Sequence, residues 1–301
     1  MTEEEETHRA ELLTPLGAEG SGRRRYAAAM ALNRSGRLSD AALEVYRICS
    51  PRDHDDPAAL LAERGLSGDV PPPAPPRFAT ALSRLLDEAD QYLSGFSGPG
   101  IAEVRAGLSQ WRGGRPLRVP TPPNPVLEQW LPRALASLGE THPALAEAIR
   151  QAAPCLTWIT YDLYPPEEIG AAFRSGHAFA SIVGEEEAPY GAREFDLGLF
   201  LIAPDVLYRD HRHPAPELYA PLTGPHGWRF GAGEPLAVLP AHVPVWNEPM
   251  RPHMTKVGPE PFLCLYCWTR DVNAPAEVVP AKDWPALEEL RLDDGTQDMA
   301  G

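Results

Sequence analysis

The stretch Tyr208-Arg-Asp-His211-Arg-His213-Pro-Ala-Pro-Glu217-Leu-Tyr219, running on to Gly224, decides how the second half of this chain folds. His211 and His213 are two residues apart, so on an extended chain their imidazoles project from one face. Glu217 and Tyr219 repeat that spacing on the next segment. Pro214-Ala-Pro216 turns the chain between the two pairs and brings both around one point. Two neutral imidazoles and a carboxylate suit Zn, Fe, Mn, Ni or Co at neutral pH. An H-x-H alone would read more simply as two surface histidines beside a proline turn. The added glutamate, the glycine at the strand end and a distant histidine in a later hairpin favour a metal site. Five of the nine histidines fall between His211 and His253.

Short apolar runs surround this stretch: LTWIT (156–160), FASIV (178–182), LGLFLIA (197–203), ELYAPL (217–222), PLAVL (235–239), VPVW (243–246) and PFLCLYCW (261–268). Loops rich in Gly, Pro and Asp separate them at intervals of roughly 8–15 residues, the rhythm of an antiparallel sandwich or barrel. Upstream the period changes. Residues 23–66 read as helix, with Ser39 and Asp40 at an N-cap, and further helices are predicted over Arg77–Leu93, Ile101–Trp111 and Val126–Ala153. Proline clusters at 69–76 and 116–125 read as stiff connectors. The expected organisation is α+β: a disordered acidic tail (1–20), a helical N-terminal region (21–153), an all-β barrel (154–290) and a C-terminal tail (291–301).

Composition narrows the function by exclusion. The 301 residues carry a formal net charge of −15, which disfavours nucleic acid and anionic membrane as partners. The one dense basic run, Arg23-Arg24-Arg25, reads as a solvated helix face. Apolar runs fall short of the roughly 18–20 residues that span a bilayer, and the acidic start MTEEEETH has no apolar leader segment, so a cytoplasmic protein is expected. Cys264 and Cys267 form a C-x-x-C, but inside a strand their side chains point to opposite faces. They read as buried thiols rather than as a zinc or redox pair.

The spacing His211-x-His213-x3-Glu217-x6-Gly224 resembles the first motif of the cupin family in all its metal-binding positions, with Asp205 where the family has a leading glycine. The second cupin motif supplies a third histidine. His253, in Pro252-His253-Met254, matches that position better than His242, while His226 sits in a Gly-Pro-His-Gly turn and is expected to be exposed. The fold implied is a double-stranded β-helix, or jelly-roll. Over about residues 195–275 the chain looks like the bacterial cupin lyases that cleave dimethylsulfoniopropionate (DMSP).

The resemblance implies one divalent metal (Zn, Fe, Mn or Ni) on His211, His213, Glu217 and His253, and a β-elimination that yields acrylate and dimethyl sulfide. The substrate carboxylate would meet the metal, and a tyrosinate would remove the adjacent proton. Tyr219 is the implied base, with Tyr208 as second candidate. The substrate is a zwitterionic sulfonium carboxylate, whose cation suits an aromatic wall. Trp268, Tyr266, Trp246 and Trp228 are the candidates for that wall. Cupins often pair through their barrels, so a homodimer is also an expectation. Two rival readings are an Fe(II) cupin dioxygenase and a non-catalytic cupin that binds a small ligand.

Overall fold

In the computed structural model, which describes residues 3–71, 77–160, 165–185 and 187–292, the chain divides into two compact units, Met1–Pro76 and Arg77–Gly301. The first unit holds α1 (Glu3–Glu11), α2 (Ser21–Arg34), α3 (Asp40–Cys49) and α4 (Pro57–Glu63) around Ala28, Leu32, Val45 and Leu61. Ser39 caps α3 as its sequence predicts, its side chain accepting from the Ala42 amide at 3.1 Å.

Two expectations fail in this unit. Part of the supposed tail is the helix α1, followed by Leu12 buried in the core. Arg23 and Arg24 are exposed, but Arg25 is buried, with its guanidinium donating to the carbonyls of Thr14, Asp53 and Asp55. From residue 72 the proline connector lies outside the described residues, as do residues 293–301 of the expected C-terminal tail.

The second unit begins with α5 (Arg77–Leu93), α6 (Ile101–Trp111), α7 (Pro125–Thr141) and α8 (Pro143–Ala152). The single helix predicted over 126–153 is two helices, because Pro143 has no amide to continue the ladder and starts the second at its first position. Two short helices follow, α9 (Pro166–Ile169) and α10 (Ala171–Gly176).

The strands come next: β1 (His177–Gly184), β2 (Tyr190–Gly191), β3 (Asp196–Ile202), β4 (Leu207–Arg212), β5 (Glu217–Pro221) and β6 (His226–Arg229). They continue with β7 (Ala237–Leu239), β8 (Val245–Asn247), β9 (His253–Val257), β10 (Phe262–Trp268) and β11 (Glu277–Val278), before a last helix, α11 (Trp284–Glu289). They form a six-stranded sheet in the order β2-β1-β3-β10-β5-β8 and a five-stranded sheet in the order β11-β4-β9-β6-β7.

Strand alternation builds two cores. Leu197, Leu199 and Leu201 of β3, Leu263, Leu265 and Cys267 of β10, and Leu218 and Ala220 of β5 face helices α5 to α8. Phe200 and Ile202, Phe262, Cys264 and Tyr266, and Tyr219 face the other way, into the barrel. These central strands are buried on both faces, which is why they read as continuous apolar runs. Cys264 and Cys267 lie on opposite faces as expected, and burial pushes both thiols up. Because the helices from α5 onward share one core with the sheet, the chain divides at residue 76 rather than at 153.

At Gly198 a Cβ would stand 2.3 Å from the Ala180 carbonyl and 2.6 Å from the Tyr266 ring. Gly198→Ala is therefore expected to destabilise the unit by about 1–3 kcal/mol, read as a lowered urea midpoint with an unchanged slope. Asp205, at the family's glycine position, adopts φ 63. This is the left-handed region that glycine enters freely and aspartate tolerates.

Candidate active site

The histidine pairs meet where the two sheets face each other. His211 on β4 lies opposite His253 on β9 in register, and His213 follows β4. One ring nitrogen from each of the three histidines lies within 4.8 Å of the others. Each Nδ1 faces a backbone carbonyl: His211 that of Arg209 at 2.8 Å, His213 that of Ala215 at 2.7 Å and His253 that of Arg251 at 2.9 Å. A carbonyl only accepts, so each Nδ1 holds its hydrogen, and in the neutral ring each Nε2 presents a lone pair. This tautomer setting is the arrangement that metal-binding histidines need.

Glu217, the first residue of β5, completes the set. Its Oε2 lies 3.2 Å from His213 Nε2 and 3.4 Å from His253 Nε2. Trp268 Nε1 donates to Oε1 at 2.7 Å, and Asn247 Nδ2 donates to Oε2 at 3.3 Å. Burial by itself would raise this carboxyl. A protonated His213, which Glu217 favours, and the hydrogen bonds from His213 and His253 outweigh burial and hold it well below the usual carboxylate range; a divalent cation would take the place of that proton. Burial, then His253 and His213, push His211 well down, so it stays neutral. A buried carboxylate beside three ring nitrogens that can each give a lone pair is a donor set that fits a divalent cation. The Asn247 side chain donates to the carboxylate and hydrogen-bonds to none of the three histidines. Asn247→Leu is expected to weaken metal affinity about 10–100-fold, measured by competition with a chromophoric chelator.

A cavity of about 580 Å³ opens on this set. Its wall includes Phe179, Phe200, Tyr208, Tyr219, Tyr266 and Trp268. Tyr219 is buried and shares the cavity wall with Glu217. Burial first, then the Glu217 charge, push its phenol well above the ordinary tyrosine value, so these protein groups favour the neutral form. Tyr208 stacks on His211, with ring centres 4.0 Å apart, and on Phe173 at 4.1 Å. Trp268 stacks on His213 at 4.4 Å.

Two of the four aromatic candidates do not line this cavity. Trp246 pairs with Leu218 on the outward face of β5, packs against Gly100 and donates its indole N–H to Glu248. Trp228 is wholly buried behind Tyr219, at 5.2 Å between ring centres, with its N–H on His226. His226 is buried in β6 rather than exposed, and burial pushes its pKa down to about 4. His242 bonds to Tyr92 and Thr141, among the helices, which leaves His253 as the third histidine. Sequence reasoning missed Asn247, although it opens the segment that ends at His253. It also missed Asp196, Phe179 and Phe200, whose alternation within apolar runs gives no sign of a cavity.

The two sheets, antiparallel except for the β1–β2 pair, and the inward histidine–glutamate cluster are those of a cupin barrel. Residues 115–264 match the family model described as dimethylsulfoniopropionate (DMSP) lyase, and through that stretch the chain belongs to the DMSP lyase family. A chain from the crystal structures of the DMSP lyases RdDddP and RnDddQII superposes with a TM-score of 0.54. It is 19% identical and covers 67% of this chain and 100% of that one. DMSP lyase DddQ from Ruegeria pomeroyi DSS-3 is 20% identical over 66% of this chain and 96% of its own, with a TM-score of 0.48. A cupin-like protein from Thermotoga maritima is 18% identical over 40% of this chain and 89% of its own, at 0.31. No curated protein matches the chain. No helix among the described residues is long and apolar enough to cross a membrane.

Proposed function

We propose that this protein is a metal-dependent carbon–sulfur lyase that converts DMSP, or a close analogue, to acrylate and dimethyl sulfide. The observation that carries this reading is the buried Tyr219 phenol in the same cavity wall as Glu217, beside three histidines whose ring nitrogens cluster within 4.8 Å of one another. His211, His213, Glu217 and His253 would hold one divalent ion, and the donor types suit Zn, Fe, Mn or Ni. Bound there, such an ion supplies Lewis-acid polarisation of a substrate carboxylate, making the neighbouring C–H more acidic.

The chain's own residues account for the rest. The Tyr219 oxygen takes the proton from the carbon beside the carboxylate. The C–H electron pair becomes the new double bond, the C–S bond breaks, and its electron pair leaves with sulfur. The phenol needs its proton removed first, against the protein field described above; a nearby dication acts in the opposite direction to burial and Glu217. Tyr208, stacked on His211, is the second candidate base. Trp268 and Tyr266, which share an inward face of β10 with Phe179 opposite, present π-faces suited to a sulfonium. The apolar wall limits water at the reacting carbon.

Proton NMR of the metal-loaded protein with DMSP under nitrogen tests this reading. Acrylate and dimethyl sulfide are expected in equal amounts, without oxygen. Turnover that needs oxygen would make the barrel a dioxygenase instead. Ligand binding without turnover would make it a binding module.

A further inference from the structure

The described wall of the cavity contains three carboxylates, Asp196, Glu217 and Glu277, and neither lysine nor arginine. Glu217 is committed to the histidines, and Glu277 is paired with Arg212 at 2.9 Å. Asp196 has no ion-pair partner among the described residues. Its neighbours are hydroxyls: Tyr266 Oη lies 3.4 Å from each of its oxygens, and Ser181 adds a second hydroxyl that lowers its pKa. Ser181 Oγ and Tyr266 Oη are themselves 3.0 Å apart, so the two hydroxyls share hydrogens with each other as well as with the carboxylate. Burial, partly offset by those hydroxyls, raises the Asp196 pKa to about 6, consistent with a half-buried carboxylate in the cavity wall that lacks a counter-charge. A carboxylate is costly to enclose without a cation. In register, Asp196 lies directly across from Trp268, whose indole holds Glu217. The cavity thus has a metal-binding cluster on one side and an unpaired anion one strand pair away.

We infer that Asp196 is the counter-charge for the cationic end of the ligand, an onium centre whose carboxylate end is directed to the histidine cluster. An onium has no N–H or S–H to donate, so charge and aromatic faces recognise it rather than directed hydrogen bonds. The inference rests on the lyase reading and deepens it. It also predicts how Asp196 acts in turnover. As the C–S bond breaks, sulfur loses its positive charge, so the attraction to Asp196 is greatest in the bound substrate and fades toward the transition state. Asp196 therefore contributes to binding and not to the chemical step.

The test uses two ligands of the same shape, 3-(trimethylammonio)propanoate and the uncharged-end isostere 4,4-dimethylpentanoate. They are titrated calorimetrically into the metal-loaded full chain. The wild type is expected to bind the cationic ligand about tenfold tighter or better, equivalent to one factor of ten in Kd. Asp196→Asn should lose that preference by weakening the cationic ligand while keeping the neutral one, and Asp196→Glu should retain most of it. Equal binding of the two ligands by the wild type, binding of neither, or full preference in Asp196→Asn would each overturn the inference. With DMSP, Asp196→Asn should raise KM without lowering kcat. Dimethyl sulfide release by a protein blind to ligand charge would defeat this inference and leave the lyase reading intact. An Asp196-dependent preference without release would defeat only the lyase reading.

Discussion

His253→Ala is expected to give a folded chain that retains no stoichiometric metal after dialysis and releases no dimethyl sulfide above background. Among the described residues His253 contributes one of three clustered histidine nitrogens, and its Nδ1 is fixed on the Arg251 carbonyl, so no rotation of a neighbour replaces it. Even outer partners of metal ligands are worth about 10–100-fold in affinity, and losing a ligand outright costs more. Metal analysis by mass spectrometry reads the effect directly, from about one ion per chain to near zero. The fold should survive. His253 stands on β9, which stays paired on both sides by β4 and β6. Metal retained in full by the variant would remove His253 from the ligand set.

Tyr219→Phe is the second large effect, and it has the opposite signature. The ring is packed by Phe200, Trp228 and Phe262, contacts that phenylalanine keeps. Only the hydroxyl is lost. Metal content and the unfolding midpoint should therefore change little, while kcat falls by about 10²–10⁴-fold, the usual contribution of a positioned base. KM should move far less, because the phenol oxygen acts mainly in the transition state. Comparison with Tyr208→Phe settles which phenol is the base: the larger loss of kcat identifies it.

The cupin half was legible where a residue type answers to one chemistry. His211, His213 and Glu217 are spaced for a shared face, and Pro214-Ala-Pro216 leaves little choice but a turn. The central strands of the six-stranded sheet, β1, β3, β10 and β5, were legible because both their faces are apolar. β2 was missed, and the LTWIT run (156–160) forms only the single bridge Ile159–Phe179 rather than a strand. β6 and β9 were also missed, and the reason lies in Arg229 and Lys256. Both are buried. Arg229 is held by Asp210 at 2.6 Å and by Asp283, and Lys256 donates to the carbonyls of Asp205 and Glu288.

These contacts come from distant parts of the chain, so the strands look polar and exposed when read alone. The same cluster fixes β4 behind the site, where Trp284 also donates to Asp210 and Arg209 pairs with Glu288. Trp246 was misread for a related reason. Alternation gives its phase relative to Val245 and Asn247, but only the pairing with Leu218 says which phase faces the cavity. Helix α1 and the buried Arg25 were missed because short amphipathic segments take their order from tertiary partners that composition does not reveal.

The most direct measurement is headspace gas chromatography for dimethyl sulfide after mixing DMSP with the metal-loaded wild type, beside the His253→Ala variant. The account predicts rapid release by the wild type that the variant loses. No release from protein loaded in turn with Zn, Fe, Mn and Ni would contradict it, as would equal release by the variant.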